Sequence, residues 1–188
     1  MKKNLSALFL ATGIGLLIVG VGLGFLLGFD SPVPWILLVA LILIPLIYNR
    51  VVDRDQLQWK DSYSVGIQVL DDDHKKLIDL LNKFQLAYDY HTGEEFERQA
   101  LDALVEYTRY HFEREEKIME ENGYPDLEAH RAQHRAMIAE VEKFIEEYKN
   151  QGHNALDGVA NYLKGWLIHH INGTDKQYAP FLREKGLT

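Results

Sequence analysis

Polar and apolar residues follow two different patterns along this chain, and the change falls near residue 50. Before it, apolar residues are nearly continuous. Leu5 to Phe29 is 25 residues without a charge. At about 1.5 Å per residue, a helix of that length exceeds the roughly 30 Å hydrocarbon core of a bilayer. A second uncharged run, Ser31 to Asn49, is apolar from Val33 to Tyr48. It contains Pro34, which a first helical turn tolerates, and Pro45, which is expected to kink or end the helix near its exit. Asp30, Ser31 and Pro32 form a turn set between the runs. The pattern predicts a two-helix transmembrane hairpin over residues 1–50, with helices at about 5–29 and 33–48. The second run is short enough that a re-entrant or interfacial segment competes. A cleaved signal peptide fits less well, because the first run is long and a second follows at once. Gly20, Gly24 and Gly28 recur every four residues on one face, a spacing that lets helix backbones pack closely, here within the hairpin rather than between copies.

After residue 50 the rhythm becomes helical and amphipathic. Residues 51–58 read as a charged linker, and Trp59 to Val69 as an irregular arm. Four helical segments follow: about 71–90, about 94–121, about 126–149 and about 155–172, with a short C-terminal helix behind them. Thr92-Gly93-Glu94-Glu95 fits a capping box opening the second. Asn122-Gly123-Tyr124-Pro125 stops it, and Asn150-Gln151-Gly152 stops the third. Connections this short make neighbours antiparallel, so residues 59–188 are expected to form an all-α, up-down-up-down four-helix bundle.

Charge sharpens the division. Residues 1–50 hold three basic residues and one acid, whereas 51–188 hold 17 basic and 27 acidic residues, a net of -10. An acidic body argues against nucleic acid as a partner. Lys2 and Lys3 flank one end of the hairpin, Arg50, Arg54 and Lys60 the other, and the turn carries no base. The positive-inside rule then predicts an inner-membrane protein with both termini and the body in the cytoplasm. There is no cysteine, which excludes disulfide scaffolds, thiolate metal sites and cysteine nucleophiles.

Histidine is where the chemistry concentrates. At spacings of three and four, the apolar stripes read His74, Leu77, Leu81, Phe84, Tyr88; then Leu101, Leu104, Thr108, His111, Glu115, Ile118; then Leu127, His130, His134, Met137, Val141; then Val159, Leu163, Trp166, His170. Every face that should enter the core carries histidine, and one carries a glutamate as well. Buried ionisable groups are costly unless paired or bound to metal. His111 and Glu115 share a face, as do His130 and His134. His170 and Asp175 are five apart, about 140° on an ideal α-helix, so Asp175 is expected where the fourth helix ends and the chain bends back. Five imidazoles and two carboxylates are too many for one open metal site. Two six-coordinate metals with two bridging carboxylates and one bridging oxide or hydroxide use them all and leave one position open.

At these residues the chain resembles the hemerythrin family. The matching elements are Asp71-Asp72-Asp73-His74-Lys75-Lys76-Leu77, His111-Phe112-Glu113-Arg114-Glu115, His130-Arg131-Ala132-Gln133-His134, and Trp166-Leu167-Ile168-His169-His170-Ile171 with Asp175-Lys176-Gln177-Tyr178. The resemblance implies two irons joined by an oxo or hydroxo bridge, with dioxygen as the ligand. His130, His134 and His170 would hold one iron, and His74 and His111 the other, which carries the open position. Glu115 and Asp175 would bridge them. Trp166 and Ile168 match positions that line the oxygen pocket, and Tyr124 and Tyr178 match positions just outside the ligands.

Other candidates fit less well. His169 lies about 100° from His170; His91 and His153 fall beside turns and read as solvated; Glu116 is off the His111 face; and Glu113 belongs to a solvated, charge-paired face. The competing ferritin-like bundles use Glu-x-x-His, which occurs nowhere in this sequence. The expected function is reversible binding of dioxygen by a membrane-anchored protein, for storage, transport or delivery to a membrane-bound oxygen consumer. The alternatives are an oxygen or redox sensor acting through a signalling partner, and an enzyme removing peroxide or nitric oxide.

Overall fold

The computed structural model describes residues 2–26, 28–90 and 93–188, with side chains described outside 2–7 and 49–55. The described residues are helical or irregular and contain no strand. The chain divides into two units, residues 1–56 and 57–188.

The first unit is a helical hairpin of α1 (Lys2–Leu26) and α2 (Pro32–Asp55). Ser31 caps α2, its hydroxyl accepting the Val33 N–H at 3.3 Å, and Pro32 occupies the first helical position, where its missing donor does no harm. The glycine row divides its work. A Cβ on Gly24 would stand 3.0 Å from Pro34 Cβ, and one on Gly20 would stand 3.3 Å from a Leu37 methyl. These two therefore let the helices touch. Gly28 instead serves the turn, at φ +116°. Pro45 does not end α2, which continues to Asp55; the proline removes one rung of the ladder, and the flanking rungs carry the helix through. The stretch 51–55, read as linker, is thus helical. The segment Leu8–Leu26 is long and apolar enough to cross a membrane, and Pro32–Tyr48 is a shorter apolar stretch.

The second unit is the bundle: α3 (Gln68–Asp89), α4 (Glu94–Glu121), α5 (Leu127–Gln151), α6 (Val159–His169) and α7 (Lys176–Glu184). Gly93 caps α4 at φ 114°, and Glu95 bonds Arg98 and Gln99 instead of reaching back toward a cap. The expected capping box includes Thr92, which, like His91, lies outside the described residues.

The largest departure from the periodic reading is in the fourth segment. The helix does not end near residue 172. Helical hydrogen bonding runs from α6 into α7 through a π-helical turn, His170–Asp175. A π-turn closes hydrogen bonds between residues five apart, so it aligns positions that an α-helix sets well off one another. The spacing that looked awkward is what a π-turn requires.

Two apolar clusters fill the bundle. The larger includes Leu77, Phe84, Leu104, Phe112, Met137, Leu163 and Ile171. The smaller includes Leu70, Met119, Tyr124, Tyr178 and Leu182. The histidines and carboxylates sit between the two along each segment: His74 between Leu70 and Leu77, Glu115 between Phe112 and Met119, His130 and His134 between Tyr124 and Met137.

The arm before α3 is pinned to the bundle. Asn82 makes two hydrogen bonds with the Leu57 backbone, each 2.8 Å. Asp71 accepts the Val65 N–H at 2.8 Å and the Ser64 hydroxyl. Asn82→Ala is expected to lower unfolding stability by about 2 kcal/mol, at roughly 1 kcal/mol for each hydrogen bond. A urea midpoint that does not move would show that the arm is not held there.

Candidate metal centre

Each of the seven sequence-predicted ligands is buried, between 0 and 4 % exposed. α3 supplies His74, α4 His111 and Glu115, α5 His130 and His134, and the π-turn His170 and Asp175. Their inner atoms converge in two groups that share Glu115: Glu115, His130, His134 and His170 in one, His74, His111 and Glu115 in the other, with all ligand atoms of a group within 4.8 Å of one another. Asp175 spans both groups as well. Its Oδ1 lies 3.1 Å from His170 Nε2, and its Oδ2 lies 3.3 Å from His74 Nε2.

The polar bonding of this layer is incomplete without a cation. His134 donates its Nδ1 proton outward to Glu116 Oε1 at 2.8 Å, which leaves an Nε2 lone pair facing inward. That lone pair meets His130 Nε2 at 3.1 Å, His170 Nε2 at 2.9 Å and Glu115 Oε2 at 3.3 Å. Both ring nitrogens of His74, Nδ1 of His111 and both oxygens of Asp175 are buried with no hydrogen-bond partner. Leaving such groups unpaired costs about 1–3 kcal/mol each. Imidazole and carboxylate donors converging without protons between them form a cation site, and iron accepts both donor types.

Electrostatics agree. Burial favours the neutral acid at Glu115 and Asp175, yet the facing histidines outweigh it: Glu115 is held well below the usual carboxylate range, and Asp175 down to about 2. Burial raises the Tyr178 phenol far above its ordinary value, and the charges of Glu115 and Asp175 add to this. Its hydroxyl is therefore a fixed donor, bonded to Glu115 Oε1.

The remaining candidates are placed as follows. Trp166 stacks on His170, with centroids 4.3 Å apart. It also borders a cavity of about 30 Å³ with Leu77, Leu81, Phe112, Leu163 and Leu167. Ile168 is not among the residues lining that cavity; it packs half-buried against the larger cluster. Tyr124 meets Tyr178 edge-on at 6.3 Å. His169 is exposed. His153 is not solvated surface, as its turn position suggested: it pairs with buried Glu97 at 2.8 Å and stacks on Tyr88, away from the ligands. Phe112, which stacks on His134 at 3.6 Å, and the carboxylates Asp73 and Glu116 were missed. Position next to a ligand was their only signal, and that does not reveal which neighbouring helix a side chain reaches.

Residues 65–182 match the model of the hemerythrin HHE cation binding domain. The chain belongs to the hemerythrin family. It is 35% identical over 127 residues to a bacteriohemerythrin of Stenotrophomonas maltophilia (strain R551-3), covering 65% of this chain and 79% of that protein. A bacteriohemerythrin of Pseudomonas paraeruginosa (strain DSM 24068 / PA7) is 33% identical, over 68% of this chain and 82% of its own length. The crystal structure of a wild-type hemerythrin superposes with a TM-score of 0.59 and 26% identity, over 67% of this chain and 97% of that one. The bundle is thus a hemerythrin-like non-haem iron domain.

Two predictions follow from the donor set. Glu115→Ala, which removes the carboxylate common to both groups, is expected to abolish stoichiometric iron binding while helical circular dichroism persists; retention of two irons per chain would remove Glu115 from the ligand set. The second concerns pH. Without metal, burial pulls His74 and His130 down, but Asp175 beside His74 and Glu115 beside His130 raise both above 6.5. A raised value stabilises the fold fully below the unfolded pKa, and that contribution is lost as pH rises through the folded value. Metal requires neutral rings. The rise in Tm on adding metal is therefore expected to grow as pH rises from below 6.5 through the raised values of His74 and His130, and a constant increment would show that these protons do not compete with metal.

Proposed function

We propose that this hemerythrin-family protein holds two non-haem irons in the layer between its apolar clusters and binds dioxygen reversibly, anchored to a membrane by its N-terminal hairpin. The observation that carries the reading is the cavity beside the ligands. Its volume of about 30 Å³ exceeds the roughly 10–15 Å³ that one water requires on this measure, and an apolar cavity stays dry. It suits a diatomic molecule. Phe112 and Trp166 form its border with the metal layer, stacked on His134 and His170.

The iron pair, when bound, supplies the electrons and the open coordination position that dioxygen needs. The chain supplies containment. Leu77, Leu81, Met137 and Leu163 exclude water. The one hydroxyl of the lining, on Thr108, donates its proton to the Leu104 carbonyl at 2.8 Å. With no ionisable group in the lining, protons are not delivered to a guest molecule from that side, which favours release of dioxygen over its reduction. Tyr178 keeps its proton, donates a hydrogen bond to Glu115 Oε1 and fixes the carboxylate.

The anchor reading rests on the hairpin. Large apolar side chains point away from its contact face, among them Leu16 at 69 % exposure, Leu23, Ile36 and Ile47. Apolar surface of this extent is unusual against water and suited to lipid. In this reading the terminal lysines and Arg50 mark the cytoplasmic side, and proximity to a membrane-bound oxygen consumer raises the local concentration of the delivered gas.

The test is optical. Iron-loaded protein, reduced without air, is expected to develop charge-transfer bands when oxygen is admitted and to lose them when oxygen is withdrawn. Conversion to a stable diferric form with no recovery would overturn reversible binding in favour of a redox sensor or enzyme. For the anchor, the full chain is expected to stay with membranes through alkaline carbonate extraction, and its appearance in the supernatant would overturn the spanning hairpin.

A further inference from the structure

Behind two of the histidines stands a carboxylate that belongs to neither ligand group, and behind each carboxylate stands an arginine. Glu116 Oε1 accepts from His134 Nδ1 at 2.8 Å, and Arg131 Nε lies 3.3 Å from Glu116 Oε2. On the other side, Asp73 Oδ2 lies 3.5 Å from His111 Nδ1. Arg114 Nη1 donates to both oxygens of Asp73, at 3.0 and 3.1 Å, and the Tyr107 hydroxyl donates to Oδ1 at 2.7 Å. The histidines are buried, whereas the arginines reach solvent, with side chains 23 % and 32 % exposed.

We propose that Glu116 is a positioning residue: it holds a proton on Nδ1 of His134, turns the Nε2 lone pair toward the centre, and, with Arg131, sets the reduction potential on that side of the metal pair, whereas Asp73, which makes no hydrogen bond to His111, acts on the other side through its charge. The potential part of this proposal rests on the di-iron reading above. A carboxylate behind a ligating imidazole makes the ring a stronger electron donor and fixes its tautomer. A stronger donor stabilises ferric iron and lowers the potential. An arginine on the far side of the carboxylate draws charge back and opposes this. The two chains are unequal. Glu116 is in close hydrogen-bond contact with its histidine. Asp73 stands farther off and divides its charge between Arg114 and Tyr107. The ring of His134 is therefore the more strongly backed.

Opposed signs make the proposal testable in the full-length chain. Glu116→Gln keeps an oxygen that accepts from Nδ1 and removes the charge. It is expected to leave His134 protonated on Nδ1, seen by nitrogen-15 NMR of zinc-loaded protein, and to raise the potential in a spectroelectrochemical titration of iron-loaded protein. Asp73→Asn is expected to raise it less. Arg131→Met frees the carboxylate charge and is expected to shift the potential downward. Glu116→Ala removes charge and acceptor together, so the tautomer becomes mixed and metal affinity falls by about 10–100-fold.

A role in packing alone gives no opposed pair of shifts. Shifts of the same sign for Glu116→Gln and Arg131→Met, no shift in either, or a wild-type His134 protonated on Nε2 would each overturn the proposal. Iron content is measured first and separates the two readings. A chain that does not take up two irons overturns the di-iron reading, and the His134 tautomer in the metal-free chain then still decides whether Glu116 acts as described.

Discussion

Five imidazoles and two carboxylates packed into the middle of a helical bundle are costly to bury unless positive charge, from protons on the rings or from a metal, is placed among them. The helices cannot bury their apolar stripes without burying these groups, because ligands and core residues alternate along the same faces. His74 lies between Leu70 and Leu77, and Glu115 between Phe112 and Met119. Hydrogen bonds satisfy the outer edges of the layer, at Glu116 and at Tyr178. They leave the inner edges bare, with His74 and both oxygens of Asp175 unpartnered. The apolar clusters above and below depend on that layer being neutralised from within, since a bundle that opened to hydrate it would also expose Leu77 and Tyr178.

Much of this was legible in the sequence. Histidine recurring on apolar stripes of four segments pointed to the residues that the bundle brings together, because a period of 3.6 residues assigns His111 with Glu115, and His130 with His134, to single faces. Asp175 was harder. Judged by the α-helical period it lies off the His170 face, and the residue spacing alone does not reveal that the hydrogen bonding widens there. The outer carboxylates were hidden for a different reason. Glu116 serves a histidine on another helix, and Asp73 reaches His111 across the α3–α4 pair. A one-dimensional period says which way a side chain faces but not what it meets. His153 shows the same limit in reverse: a turn position suggested solvent, and a buried glutamate from α4 claimed it.

The hairpin illustrates how local rules yield to context. A proline inside a helix removes one donor and crowds the preceding turn, yet α2 passes through Pro45 and continues to Asp55. Glycine spacing suggested one packing face, whereas Gly20 and Gly24 admit α2 and Gly28 turns the chain. Residues of one type at one period can therefore serve two purposes.

The π-turn carries a consequence for how the bundle comes apart. A π-turn is a rare single-turn bulge within an α-helix, and such turns are frequent at functional sites. Here the turn bears two of the candidate ligands, His170 and Asp175, on opposite ends of a single widened loop of backbone. A cation held by both would tie the two ends of that turn together. Unwinding of that turn would separate the two side chains, so release of a cation held by both and loss of one turn of helix would be coupled.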